Sequence, residues 1–173
     1  MRDAIEMSVV RPFIDAVEHF FRAMLGHSVT AGEPVVTIAP RPERDVRATV
    51  GLSGTPPGTF TLVMSEPVAV KTVSAFARRS ISLGSGDFRD AMGEIANIIA
   101  GHAAPRVPGR RFAVCCPSVS MTDSANPPAS AKASPKAADA IVFSVPFTAA
   151  SGPFLIEVEL MGIEGAGASA QAA

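Results

Sequence analysis

A chain of 173 residues, 47 % of them hydrophobic, is long enough to bury a core of its own and is most simply one domain over 1–173. Its 15 Lys and Arg against 16 Asp and Glu leave a net charge of −1, so no basic excess draws it to nucleic acid, and without Trp or Tyr it lacks the usual anchors of base-stacking and carbohydrate sites. The first 25 residues interrupt their apolar content with Arg2, Asp3, Glu6, Arg11, Asp15 and Glu18, which fits neither a secretory signal nor a spanning helix; a cytoplasmic protein without membrane contact is expected.

Pro12 suits a first helical turn, and Phe13, Val17, Phe20, Phe21 and Met24 then recur at three- and four-residue steps. This predicts an amphipathic core helix that Gly26 ends. His19 and His27 have no acid or cysteine at metal-ligand spacing and read as solvated or hydrogen-bonded side chains. The apolar run from Pro34 to Pro40 predicts a short strand. After a charged loop, Asp45 to Leu52 alternates, with Val46, Ala48, Val50 and Leu52 pointing one way. Ser53 to Gly58 is a turn by composition, and Phe60, Leu62 and Met64 alternate beyond it, completing an antiparallel hairpin.

Ser65 is placed to cap a second helix, with Pro67 in its first turn and Ala69, Val73, Phe76 and Ala77 as its buried stripe. Arg78 and Arg79 suit its C-terminal end, where cations meet the helix dipole. Ser85, Gly86 and Asp87 then offer a capped start for a third helix over Asp87 to Ala104, and Pro105 stops it. On a 3.6-residue period Phe88, Met92, Ile95, Ile99 and His102 gather on a core face, with Ala91 and Ile98 at its margin. Opposite them Asp90, Glu94, Asn97 and Gly101 form a narrow stripe that must face water or a partner.

A strand of about Arg111 to Val119 follows. Its adjacent Cys115 and Cys116 would point to opposite faces, so they read as small strand residues rather than a structural disulfide. Residues 120–139, rich in Ser, Ala and Pro, predict a mobile loop. Ile141, Phe143, Val145 and Phe147 alternate, the chain turns at Ala150 to Pro153, and Phe154, Ile156, Val158 and Leu160 finish a second hairpin before a frayed tail over 162–173. Three helices and about six strands, with hairpins outnumbering crossovers, predict an α+β domain on a mainly antiparallel sheet with the helices packed on it.

The chemistry on offer sits in the third helix. Glu94 can pair with a cation, and the carboxamide of Asn97, one turn on, can both donate and accept hydrogen bonds, as holding one water in a chosen orientation requires. Such a pair also occurs on ordinary solvated helix faces, so the spacing alone assigns nothing. The longer pattern Asp90-x3-Glu94-x2-Asn97-x3-Gly101, inside DAMGEIANIIAG, resembles the signature helix of the CheC/CheX/FliY family of chemotaxis phosphatases. Arg11 to Gly26 resembles the CheX-type amino-terminal helix and Gly152 to Leu160 the final strand, so the likeness covers about Val9 to Met161, with 118–139 matching poorly. CheC-like members carry a second Glu-x2-Asn pair in the first helix. Here Glu18 is followed by Phe21, which leaves one site, as in CheX-like members.

The resemblance implies a CheC-like fold and hydrolysis of the aspartyl phosphate of a CheY-like response regulator. It makes Glu94 and Asn97 the catalytic pair, with Glu94 docking on a receiver lysine and Asn97 orienting water. Asp90, Gly93 and Gly101 become partner-binding positions, the two glycines keeping the face low. It further implies a homodimer joined through the sheet, no cofactor or metal held by this chain, and Mg²⁺ on the phosphorylated partner. A receiver-binding module without catalysis, or an adaptor at the flagellar switch, are the alternatives. The latter normally brings an added switch domain, whereas this sequence ends twelve residues past Met161.

Overall fold

The computed structural model describes residues 2–36, 44–123 and 140–161. The order is α1 (Arg2–Phe20), a π-helical turn (Phe21–Leu25), β1 (Thr30–Ala31), β2 (Arg44–Ser53), β3 (Gly58–Ser65), α2 (Glu66–Ala77), α3 (Gly86–Ala103), a 3₁₀ turn (Ala104–Arg106), β4 (Ala113–Asp123), β5 (Ala140–Ala149) and β6 (Gly152–Met161). The six strands make one sheet in the order β1-β5-β6-β3-β2-β4, and every pairing is antiparallel. The α+β expectation holds.

Alternation decides which face is buried. Val46, Ala48, Val50 and Leu52 of β2 lie beside Phe60, Leu62 and Met64 of β3, and β6 adds Phe154, Ile156, Val158 and Leu160 in register. Helices α1, α2 and α3 close this face; the rings of Phe13 on α1 and Phe60 stack 5.7 Å apart. Fully burying an aliphatic or aromatic side chain contributes about 1.5–3 kcal/mol, so this one layer of side chains supplies the main drive to fold. On the opposite face Arg47 Nη2 donates to Glu157 Oε2 at 2.7 Å, an ion pair that spans β3 between them.

Several elements depart from the sequence pattern, each for a physical reason. The first helix begins at Arg2, which makes Pro12 an interior residue rather than a first-turn one. Burial of Val9 and Val10 before it and of Phe13 and Ile14 after it holds both halves of α1 on the sheet. The helix then widens into the π-helical turn, whose i→i+5 bonding slips the phase. Met24, expected in the buried stripe, is turned outward and is 48 % exposed, while Phe21 stays buried against Phe154 with ring centroids 5.1 Å apart. Gly26 ends the turn at φ 74°, a left-handed conformation that suits glycine.

The first strand among the described residues is Thr30–Ala31. Of the described part of the 34–40 run, residues 34–36, only Val35 pairs, through a two-bond bridge to Ser144, and both Val35 and Val36 are exposed. Residues 37–40 lie outside the described residues, as do 124–139 and the tail after Met161. β4 is longer than expected, since Ser120 to Asp123 pair with Arg47 to Arg44; a ladder needs backbone groups, not an apolar pattern, so composition alone misread those four residues. The register between β2 and β4 also slips by one residue at Cys115 and Cys116, which interrupts the regular alternation behind their expected opposite-face placement; both are free, as expected of strand residues without a disulfide.

Around α2 the sequence reading is close. Ser65 occupies the N-cap position, although its side chain makes no cap hydrogen bond, and Pro67 lies in the first turn. The buried residues are Val68, Ala69, Thr72 and Val73, with Phe76 and Ala77 only partly covered. Arg79 does more than meet the helix dipole: its Nη2 donates to Asp87 Oδ2 at 2.6 Å, tying the end of α2 to the start of α3.

Candidate functional site

α3 is anchored at both ends and along one side. Ser85 Oγ accepts from Phe88 N at 3.1 Å and donates to Ser82 O at 2.8 Å, capping the helix as the sequence predicts. At the other end the 3₁₀ turn carries Pro105, and Arg106 Nη1 donates to His102 O. Phe88, Met92, Ile95, Ala96, Ile99, Ala100 and Ala103 are buried against the sheet and neighbouring helices.

The face turned away carries the residues expected there. Asp90, Glu94 and Gly101 are exposed, and Asn97 is half-buried. At about 100° per residue, Asn97 lies on the side of this stripe nearer β4 and Glu94 on the side nearer α1. Among the described residues no hydrogen bond or ion pair engages the side chain of Asp90, Glu94 or Asn97. An exposed carboxylate and an unengaged carboxamide, one turn apart on a helix fixed from below, are held in position without being used by the fold.

One expected site residue stands elsewhere. Gly93 is buried, not on the exposed stripe: a Cβ there would lie 3.2 Å from Pro117 Cγ and 3.7 Å from Val119 Cγ2 of β4. Its missing side chain lets α3 approach the edge of the sheet closely and so sets the height of the helix. Gly101 does lie on the stripe, with nothing within 4 Å of where a Cβ would be, so internal packing makes no demand for glycine there. His102, expected on the core face, sits instead at the α1 flank, half-exposed and stacked on His19 with ring centroids 4.6 Å apart and planes 7° from parallel. Burial, helped by the neighbouring Arg106 and His19, holds its pKa below the ordinary histidine value of 6.5.

Sequence reasoning missed what the two helices make together. Ala16, Phe20, Ala23 and Met24 of the first helix and its π-helical turn face Ile98, Gly101 and His102 across a groove of about 340 Å³ that runs beside the stripe. The only signal for it was the pair of alanines on the first helix, at positions that the apolar period does not claim.

A family model described as the chemotaxis phosphatase CheX matches residues 46–143, which runs from β2 through α3 to β5. The chain belongs to the CheX family. Among solved structures, a chemotaxis protein CheX from Desulfovibrio desulfuricans is 26 % identical, with TM-score 0.70 over 87 % of this chain and 97 % of that one. A CheC-like superfamily protein from Shewanella sp. PV-4 shares the fold at TM-score 0.73 and 19 % identity, over 90 % and 98 % of the two chains. CheX from Borrelia burgdorferi, in a complex with CheY, BeF3 and Mg²⁺, is 24 % identical at TM-score 0.63, over 88 % and 96 %. No curated protein sequence matches the chain. For a CheX-family chain, the CheC-like fold expected from the signature helix is the fold observed.

Proposed function

We propose that this CheX-family chain is a phosphatase for the aspartyl phosphate of a CheY-like response regulator. The observation that carries the reading is the α3 face, where Glu94 and Asn97 are accessible and unengaged on a helix whose other sides are fixed. The partner class is supported by the family and by the structural relative in complex with CheY, BeF3 and Mg²⁺.

An acyl phosphate is already labile, so the catalyst's task is to place a water in line with the P–O bond and to complete the charge pattern of the donor's site. The Asn97 carboxamide orients that water, accepting one of its hydrogens while its NH₂ faces a phosphate oxygen. Glu94 pairs with a receiver lysine and so fixes the helix over the acyl phosphate. Asp90 forms the rim of the contact. Gly101 leaves room for the receiver to approach, and Gly93 contributes from beneath, through the height of α3 over β4. The divalent cation, Mg²⁺, is held by the partner. A cytoplasmic homodimer joined through the sheet completes the proposal and leaves α3 free on each protomer; light scattering on the purified protein gives its mass directly.

The test is phosphate release from a phosphorylated CheY-like receiver with catalytic amounts of this protein. Multiple turnovers per chain are expected. Binding to the receiver without acceleration of its dephosphorylation would reduce the chain to a docking module.

A further inference from the structure

β4 stands at one end of the strand order, and its outer edge has no partner strand among the described residues. Against β2 its register slips by one: Val50 lies opposite Pro117, but Leu52 lies opposite Val114. Gly51 alone therefore faces two residues, Cys115 and Cys116, in a β-bulge whose extra residue belongs to β4.

The flanking residues fix where the two thiols point. Val114 pairs with core-facing Leu52 and packs against the core, and Pro117 pairs with core-facing Val50 and reaches Gly93 of α3. In a regular strand, residues three apart point to opposite faces. Here 114 and 117 share the helical face, so the alternation is broken between them and Cys115 and Cys116 both turn to the other side of the sheet. Gly51 sits between two core-facing neighbours, so a Cβ on it would point outward, where it would meet Cys115 Sγ at 3.4 Å. Both cysteines are free and exposed.

Two adjacent thiols on one side of an unpaired strand edge, beside a residue with no side chain, make a chelating pair. Soft centres select thiolate sulfur over oxygen and nitrogen donors. We propose that Cys115 and Cys116 form a bidentate site for a thiophilic trivalent arsenical. With a monosubstituted arsine oxide, two As–S bonds form and the As=O bond breaks. Both thiol protons leave in one water, and no oxidation state changes. The site lies on the sheet face opposite α3 and is independent of the phosphatase reading.

The reduced chain, titrated anaerobically with phenylarsine oxide, is expected to take up one arsenical and to lose both thiols to a thiol-counting reagent in the same step. 1,2-Ethanedithiol should reverse the adduct where the same concentration of 2-mercaptoethanol does not. Cys115→Ser and Cys116→Ser should each weaken binding on the order of 10²-fold, because the second bond is intramolecular in the wild type and absent in either variant. Circular dichroism on both variants checks that the fold is kept. Two arsenicals per chain, single-cysteine variants that bind as tightly as wild type, or an intact mass under denaturing conditions showing one arsenic that bridges two chains would each overturn the site.

Discussion

α1 and α3 lie side by side on the same face of the sheet, and their outer surfaces are resolved in opposite ways. On α1 one pair is settled internally, Arg11 Nε with Asp15 Oδ1 at 2.7 Å one turn apart, and although Glu18 is left unengaged among the described residues, the position that would complete its Glu-x2-Asn pair holds Phe21, buried against Phe154. On α3 pairing stops at the first turn, with Arg79 and Asp87, and Asp90, Glu94 and Asn97 beyond it are left unengaged. The contrast teaches that polarity on a helix does not mark a site. What marks it is a complete pair, carboxylate and carboxamide, that the fold holds in place and does not consume.

Replacing Asn97 should widen or collapse that contrast most. If the carboxamide acts only in the transition state, Asn97→Ala loses on the order of 10²-fold in the dephosphorylation rate of a phosphorylated receiver, while docking is nearly unchanged. Asn97→Asp keeps the shape, removes the donor hydrogens and adds a negative charge, so it should be as slow. Single-turnover decay with wild type and both variants decides it, and equal rates would make α3 as inert as α1. Next in size is Glu94→Gln, expected to weaken receiver binding about tenfold at low salt and less at high salt. Affinity measured across a salt series that shows no change at low salt removes the ion pair from the proposal.

The two glycines of α3 separate packing from docking. Gly93→Leu must push against Pro117 and Val119, and should cost about 1–2 kcal/mol of stability. Gly101→Ala meets nothing and should add up to about 1 kcal/mol through helix propensity alone. Denaturant midpoints read both, and a loss of stability at Gly101 would mean that the stripe is packed after all. On α1, Arg11→Ala removes an exposed i,i+4 pair and should cost about 0.3–0.5 kcal/mol, with no effect on phosphatase rate.

The smallest effect belongs to the groove between the two helices. His102 has a folded-state pKa below its unfolded value of 6.5, so between the two the unfolded chain binds more protons and stability rises with pH. Its contribution is whole above about 6.5 and is lost as pH falls through that value to the folded one. Thermal melts of wild type should therefore decline slightly in that window, and His102→Gln should flatten the decline. An unchanged slope would place the acid sensitivity elsewhere.

Most of the sheet and the accessible stripe of α3 were legible in the sequence, because both rest on a simple period. Val46, Ala48, Val50 and Leu52 alternate without a fault, and Asp90, Glu94 and Asn97 fall together at helical spacing. What was hidden depends on a break in period or on a neighbour distant in sequence. The slip that turns Met24 outward needs the π-helical turn, and the bulge at Cys115 and Cys116 adds one residue that no alternation rule anticipates. Gly93 reads as part of an exposed face until β4, two dozen residues later, is laid beneath it. The groove with its stacked histidines exists only once the first and third helices are adjacent.

Phe21 has one more consequence, for stoichiometry. Its ring stacks on Phe154 and meets Phe20 edge-on, so no single exchange to asparagine can put a working amide there; it would bury an unpaired carboxamide in the core. A receiver that recognises the Glu-x2-Asn pair therefore finds one landing place per chain. Titration of either partner with the other should saturate at one receiver per protomer along a simple hyperbola, with no second, weaker class of sites.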